Sequence, residues 1–250
     1  MTLIPTLRLS LEMTNVLTRI EMNGLKINLD TLHEIEKEYN EELSYLETKL
    51  QTMAKEAMGD TPVNLSSPDD RSVLLYSRKV RDKSMWGVTF NLGHEMRGNT
   101  MKPKLRTRMR ANVFIRNVRN MTDVVYKTVG QMCAGCLGNG RVRMVNKNGQ
   151  PSKVLNICKS CKGKGIRYMD TNEVAGFKIV PRNPKDTASA GFKTDKVTLE
   201  DRSLELSGDA REFCTSYSRY NAIRTYLSTF VEGMKNNVDD DGFVHPEFMQ

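Results

Sequence analysis

Two copies of the pattern CxxCxGxG stand in one chain, Cys133-Ala134-Gly135-Cys136-Leu137-Gly138-Asn139-Gly140 and Cys158-Lys159-Ser160-Cys161-Lys162-Gly163-Lys164-Gly165. A CxxC turn brings two thiolates to one metal, and the glycines behind it permit positive φ angles and close backbone approach. Together Cys133, Cys136, Cys158 and Cys161 make a closed tetrahedral set for one structural zinc ion, with no position left for water. Between the knuckles, Arg141 to Val145 and Val154 to Ile157 are β-prone runs around Asn146-Lys147-Asn148-Gly149, a good hairpin turn. The pattern predicts a zinc ribbon. The competing redox reading needs one CxxC pair in a thioredoxin-like βαβ setting, whereas two identical glycine-tailed pairs point to one shared metal.

The chain has 250 residues and five cysteines. No stretch approaches the roughly 18 apolar residues of a spanning helix, and Met1 to Ser10 does not read as a signal peptide, so no membrane partner and a cytoplasmic location are expected. Paired disulfides have no place there. Cys214, alone beside Phe213 and Tyr217, reads as a small buried residue, and His33, His94 and His245 as surface or packing residues off ligand spacing. The formal net charge is +8, which makes an anionic partner worth seeking. The sharpest bias lies between Met96 and Thr122, where Arg97, Lys102, Lys104, Arg106, Arg108, Arg110, Arg116 and Arg119 meet no Asp or Glu. Aromatic residues are sparse there, so backbone phosphate contact suits the run better than base stacking, with a solvated basic face as the alternative.

Along the chain, Met13, Val16, Leu17 and Ile20 recur at helical spacing, and Leu25 to Leu29 reads as a small strand. Asp30 is a plausible N-cap for a long helix with the stripe Leu32, Ile35, Tyr39, Leu43, Leu46, Leu50, Met53, stopping by Gly59 to Pro62. Ser67 before Pro68 suits the start of the next helix. Pro181 to Gly191 reads as an irregular connection. Thr194 or Asp195 starts another helix, and Ala210 to Lys235 forms the last long one. Asp239-Asp240-Asp241-Gly242 reads as a turn rather than a calcium loop, before a strand at Phe243 to His245.

The two repeats resemble the cysteine-rich zinc region of the DnaJ co-chaperones, over Cys133 to Gly165 only. That family carries four repeats and an His-Pro-Asp tripeptide; here there are two repeats and no such tripeptide. Lys159, Lys162, Lys164 and Arg167 make the second knuckle basic, which suits nucleic acid or a solvated surface equally.

The flanks resemble consecutive pieces of the thumb of family A DNA polymerases. Leu11-Glu12-Met13 through Glu21-Met22-Asn23-Gly24-Leu25-Lys26-Ile27-Asn28 is similar to the family's E-x-x-G-[VL]-x-[VIL]-[DN] passage. Val63-Asn64-Leu65-Ser66-Ser67-Pro68 resembles its FNLNSPKQL segment, and Gly191-Phe192-Lys193-Thr194-Asp195-Lys196 its GxSTD passage. Tyr220 to Gly233 resembles the late thumb helix, and Gly242 to Gln250 the strand that opens the palm. Asn221 and Thr225 stand where the family has the Arg and Lys of that helix, with Arg224 one position off.

The resemblance implies a mainly α fold: an elongated thumb-like clamp over residues 1–125 and 171–250, with a β zinc ribbon inserted at 126–170 and a last strand belonging to an incomplete palm. It implies grip on primer–template DNA duplex through Lys193, Thr194, Arg224, Ser228 and Gln250, with Arg106, Arg108 and Arg110 adding attraction. The T-x-T-x-R motif, the magnesium-holding aspartates and the nucleotide-binding helix of the family do not occur in the sequence. Magnesium and synthesis are therefore expected only with a second polypeptide or further C-terminal region carrying palm and fingers. A zinc-ribbon chaperone or adaptor that binds protein partners is the alternative.

Overall fold

The computed structural model describes residues 3–104, 109–145 and 150–245. In chain order the first half holds α1 (Leu3–Asn23), β1 (Leu25–Lys26), α2 (Leu29–Met58), α3 (Pro68–Tyr76), β2 (Arg78–Val80), α4 (Lys83–Thr89), β3 (Gly93–Arg97), β4 (Thr100–Lys104), α5 (Ala111–Met121) and β5 (Thr122–Val124). The ribbon strands follow: β6 (Tyr126–Met132), β7 (Arg141–Val145), β8 (Pro151–Ile157) and β9 (Ile166–Val174). Then come β10 (Thr187–Ala188), β11 (Gly191–Phe192), α6 (Lys196–Glu205), α7 (Gly208–Thr225), α8 (Glu232–Asn237) and β12 (Phe243–Val244). The fold is mainly α with small antiparallel two-stranded sheets, and no helix among the described residues is long and apolar enough to cross a membrane.

Contacts divide the chain into two compact units, one of residues 1–48 with 217–250, the other of residues 49–216. This differs from the three-part division read from the sequence, because β1 pairs antiparallel with β12 and so gathers both ends into one unit. In that unit Leu32 and Leu46 of α2 are buried with Ile223 and Val231, Tyr39 stacks on Tyr226, and Arg219 grips Glu42 through two 2.7 Å hydrogen bonds. The expected helix Leu11 to Ile20 lies inside α1, but its stripe is not core: Met13, Val16 and Ile20 are exposed. Asp30 does not cap α2. Asn28 does, its Oδ1 accepting from the Asp30 and Thr31 amides at 3.1 and 3.2 Å, which leaves Asp30 in the first turn. The last long helix is not one regular α-helix either, since Tyr226–Val231 forms a π-helical turn between α7 and α8.

The second unit is built on an aromatic chain. Phe114, Phe90, Trp86, Phe192 and Tyr76 meet in sequence at centroid distances of 5.3, 4.7, 5.1 and 4.6 Å, all buried. Buried rings offer no base-stacking platform, in keeping with the sequence reading. Ser67 caps α3 as expected, accepting from the Asp70 amide with Pro68 in the first turn. Asp195 caps α6 by accepting from the Thr198 amide at 2.9 Å. Within the irregular stretch after Pro181 the chain forms a 3-10 turn at Pro184–Asp186 and the β10–β11 pair. Asp186 there accepts from the Arg182 and Asn183 amides and pairs with the buried guanidinium of Arg202.

Two stability tests follow from these contacts. Asp186→Ala leaves the buried Arg202 guanidinium with Glu205 at 3.0 Å as its remaining carboxylate and takes the acceptor from the Arg182 and Asn183 amides, and it is expected to cost about 3 kcal/mol in denaturant unfolding, where a surface ion-pair deletion costs under about 1 kcal/mol. His245 donates from Nδ1 to the Glu21 carbonyl (2.7 Å) and from Nε2 to Asp239 (3.1 Å), and these partners raise its pKa above the ordinary 6.5. Its contribution is therefore full below the ordinary value and fades as pH rises through the raised one. The thermal-melting advantage over His245→Asn should shrink as pH rises above neutral; growth of that advantage with pH would contradict the assignment.

Candidate functional site

The four cysteines come together because the two knuckles fold alike. Leu137 and Lys162, the residues after each second cysteine, take φ values of 48° and 51°. The glycines that follow match in the same way: Gly138 and Gly163 at 84° and 87°, Gly140 and Gly165 at 70° and 74°. The knuckles also lock each other. The Cys133 amide donates to the Gly165 carbonyl at 2.8 Å and the Cys158 amide to the Gly140 carbonyl at 2.9 Å. A Cβ at Gly140 would stand 2.3 Å from the Gly163 oxygen, and one at Gly165 would stand 2.2 Å from the Gly138 oxygen. Glycine is thus required at both places by close approach as well as by φ.

The sulfurs converge across the knuckles, Cys133 Sγ to Cys158 Sγ at 3.8 Å and Cys136 Sγ to Cys161 Sγ at 3.6 Å, with all four within 4.8 Å of one another. Tetrahedral coordination with metal–sulfur bonds of about 2.3 Å calls for sulfurs about 3.8 Å apart. The set therefore fits one metal ion. Each knuckle adds an amide to its own sulfur: Gly140 N–H to Cys136 and Gly165 N–H to Cys161, both at 3.2 Å. These donors offset thiolate charge, as outer-shell contacts in metal centres do. In the thiols themselves, burial pushes Cys136 up to about 11. Burial acts on Cys161 too, but the Gly165 amide and the Cys136 and Cys158 thiols outweigh it and bring Cys161 down to about 7. Cys214 is buried elsewhere with its thiol raised to about 11 by burial, an inert packing residue as expected.

The knuckles sit on antiparallel strands, β6 with β9 and β7 with β8, not in a βαβ unit. The expected hairpin strands are present, while its turn Asn146 to Gly149 lies outside the described residues. Val142 packs on the buried cysteines, and among the described residues no other apolar core forms in the ribbon.

Two of the expected duplex contacts line a cleft of about 740 Å³ in the second unit. Lys193 is half-buried there and Thr194 is buried. The cleft also gathers Val63 and Pro68 and the four cations Arg71, Arg78, Lys79 and Lys83, which do not stand out in the sequence because they are scattered among neutral and acidic neighbours. Its carboxylates are engaged: Asp69 with Lys83, Asp70 with the Asn64 amide, Asp195 with the α6 amide. Arg224 is exposed on α7, and Ser228 lies in the π-helical turn, its Oγ 3.5 Å from the Thr225 carbonyl. Arg110 is the exposed first residue before α5 and makes no side-chain cap bond. Arg106, Arg108 and Gln250 lie outside the described residues.

Purified protein is expected to hold one metal ion per chain by elemental analysis, and Cys133→Ser should lose it on dialysis. Gly140→Ala should weaken metal binding about 10–100-fold in a chelator competition; unchanged affinity would show that the cross-knuckle approach is not needed. Comparisons with protein-family models, with curated proteins and with solved structures return no match for this chain.

Proposed function

We propose that the protein binds the sugar-phosphate backbone of DNA duplex, as the thumb of a family A polymerase does, and carries a structural zinc ribbon. The observation that carries this reading is how the resembling segments meet. The first and last, around Leu25-Lys26 and Phe243-Val244, pair as β1 and β12. The second and third meet on one cleft, lined by Val63 and Pro68 from the one and by Gly191 to Asp195 from the other, and the Tyr76 hydroxyl donates to the Lys193 carbonyl there. Segments far apart in sequence that resemble one architecture thus join in pairs inside each unit, which independent chance matches have no reason to do.

Grip in this reading comes from Lys79 and Lys193 on the cleft, where the carboxylates are already tied to caps and to Lys83. Such contacts neutralise phosphates without reading bases. Zinc is the metal of choice because four thiolates in a closed tetrahedron suit a soft-tolerant ion without redox chemistry. Free cysteines suit a reducing compartment such as the cytoplasm, a host's if the chain is viral. Nucleotide transfer needs magnesium-holding carboxylates and belongs to a partner polypeptide or to further chain. A second reading, protein capture by a chaperone-like or adaptor ribbon, is favoured by the exposure of Met132, Leu137, Val154 and Ile157.

Labelled primer–template duplex should bind with an affinity that falls steeply between about 50 and 200 mM salt. The pair Lys79→Ala with Lys193→Ala should reduce the log–log salt slope by about 2. A flat salt dependence, or a slope untouched by that pair, would overturn the reading. Suppression of aggregation of an unfolded protein without duplex affinity would favour the second.

A further inference from the structure

Between Asp123 and Asp170 the chain contains no acidic residue, while Lys127, Arg141, Arg143, Lys147, Lys153, Lys159, Lys162, Lys164 and Arg167 all fall there. Both knuckles and the strands β7 and β8 thus carry no carboxylate, and the first in β9 is Asp170. The bodies around it behave differently. Arg81 pairs with Asp123, Lys83 with Asp69, Arg202 with Asp186, Arg219 with Glu42 and Lys235 with Glu36. At the foot of the ribbon Lys127 reaches outside the acid-free stretch to Glu173. Beyond it, Arg141, Arg143, Lys159, Lys162, Lys164 and Arg167 are all exposed, and the stretch between Asp123 and Asp170 supplies no carboxylate to pair with them.

The knuckles themselves show that this charge is not a folding requirement. They share their φ values and their cross-bonding, so position by position one is a control for the other. At three of the four places where the knuckles differ the first has Ala134, Leu137 and Asn139, and the second has Lys159, Lys162 and Lys164; at the fourth Gly135 stands against Ser160. Leu137 holds the same positive φ as Lys162, so lysine is not needed for that turn. Nor is it needed to balance the metal. Four thiolates around a divalent ion would leave two negative charges, softened by the Gly140 and Gly165 amides, whereas the stretch between the two aspartates carries nine cations, far more than that balance asks. Arg141 and Arg143 alternate with Val142, which packs on the cysteines, so strand alternation sets both arginines on the face away from the metal.

We infer that the second knuckle and the strand β7 form a second surface for the phosphate backbone of double-stranded nucleic acid, separate from the cleft. The ligand class follows from the chemistry. Unpaired cations at several neighbouring points match a repeating anion, and neither the second knuckle nor β7 contains an aromatic residue, which leaves backbone contact rather than base stacking. The inference rests on the duplex-binding reading for its ligand and adds to it a place where the duplex is held. Rigid presentation comes from the metal, since both knuckles are pinned by it and by each other.

The test gives the second knuckle the residues of the first, as the triple change Lys159→Ala, Lys162→Leu, Lys164→Asn in the full chain. Metal content reports that the ribbon still folds. Binding of a short labelled DNA duplex is then measured over a salt series, in parallel with the Lys79→Ala, Lys193→Ala pair. The expected result is retained metal, a salt slope lower by about 2–3 and an affinity lower by about tenfold or more at moderate salt. Retained metal with unchanged slope and affinity would overturn the inference, and a loss confined to the cleft pair would overturn it while sparing the cleft reading. A loss confined to the knuckle variant would support the ribbon and remove the cleft. Binding to polyglutamate but not to duplex would overturn both.

Discussion

The C-terminal end of α3 is the point on which the second unit depends. A helix ends with carbonyls that have no partner within it, and here the partners arrive from the chain that has just left the ribbon. The Phe177 and Ile179 amides donate to the Leu74 and Leu75 carbonyls, and the Lys178 amide to Ser77 Oγ. Ser77, in the left-handed region at φ 58°, also returns its carbonyl to the Val125 amide at the start of the ribbon. Gly176 makes this possible, since a Cβ there would meet the Leu74 oxygen at 2.4 Å. One helix end thus fixes where the ribbon leaves and where it comes back.

The ribbon itself depends on a different resource. Among the described residues its buried apolar side chains are the four cysteines, with Val142 partly buried against them, far too little apolar surface to offset the entropy of ordering some forty residues. The four converging sulfurs fit a metal ion whose coordination would take the place of a core, as it does in other small modules whose binding free energy is their folding free energy. The body is the reverse case. Its aromatic chain from Phe114 to Tyr76 supplies packing that needs no cofactor.

What could be read from the sequence was what is decided locally. The knuckles were legible because thiolate chemistry and glycine stereochemistry both act within eight residues, and the caps at Ser67 and Asp195 because a cap is a contact three residues long. The cap of α2 was misplaced by two positions, since Asn28 and Asp30 are both competent and only the geometry of the incoming strand chooses. The exposed stripe of α1 shows the limit of periodicity, which marks a face without saying what covers it. The cleft was illegible for another reason: Lys79, Lys83 and Lys193 are brought together by the stacking of Phe192 on Tyr76, a contact across more than a hundred residues.

The antiparallel pairing of β6 with β9 has one more consequence. Tyr126 lies opposite Val174, so everything between them leaves and returns through adjacent strands about 5 Å apart. For the body, this long excursion would be entropically a turn once a metal ion on the four cysteines closed it, because the cost of bringing its ends together would be met inside the ribbon. Body and ribbon can then acquire their order independently, and sequence change in the excursion leaves the packing around α3 untouched so long as its two strands still meet at the root.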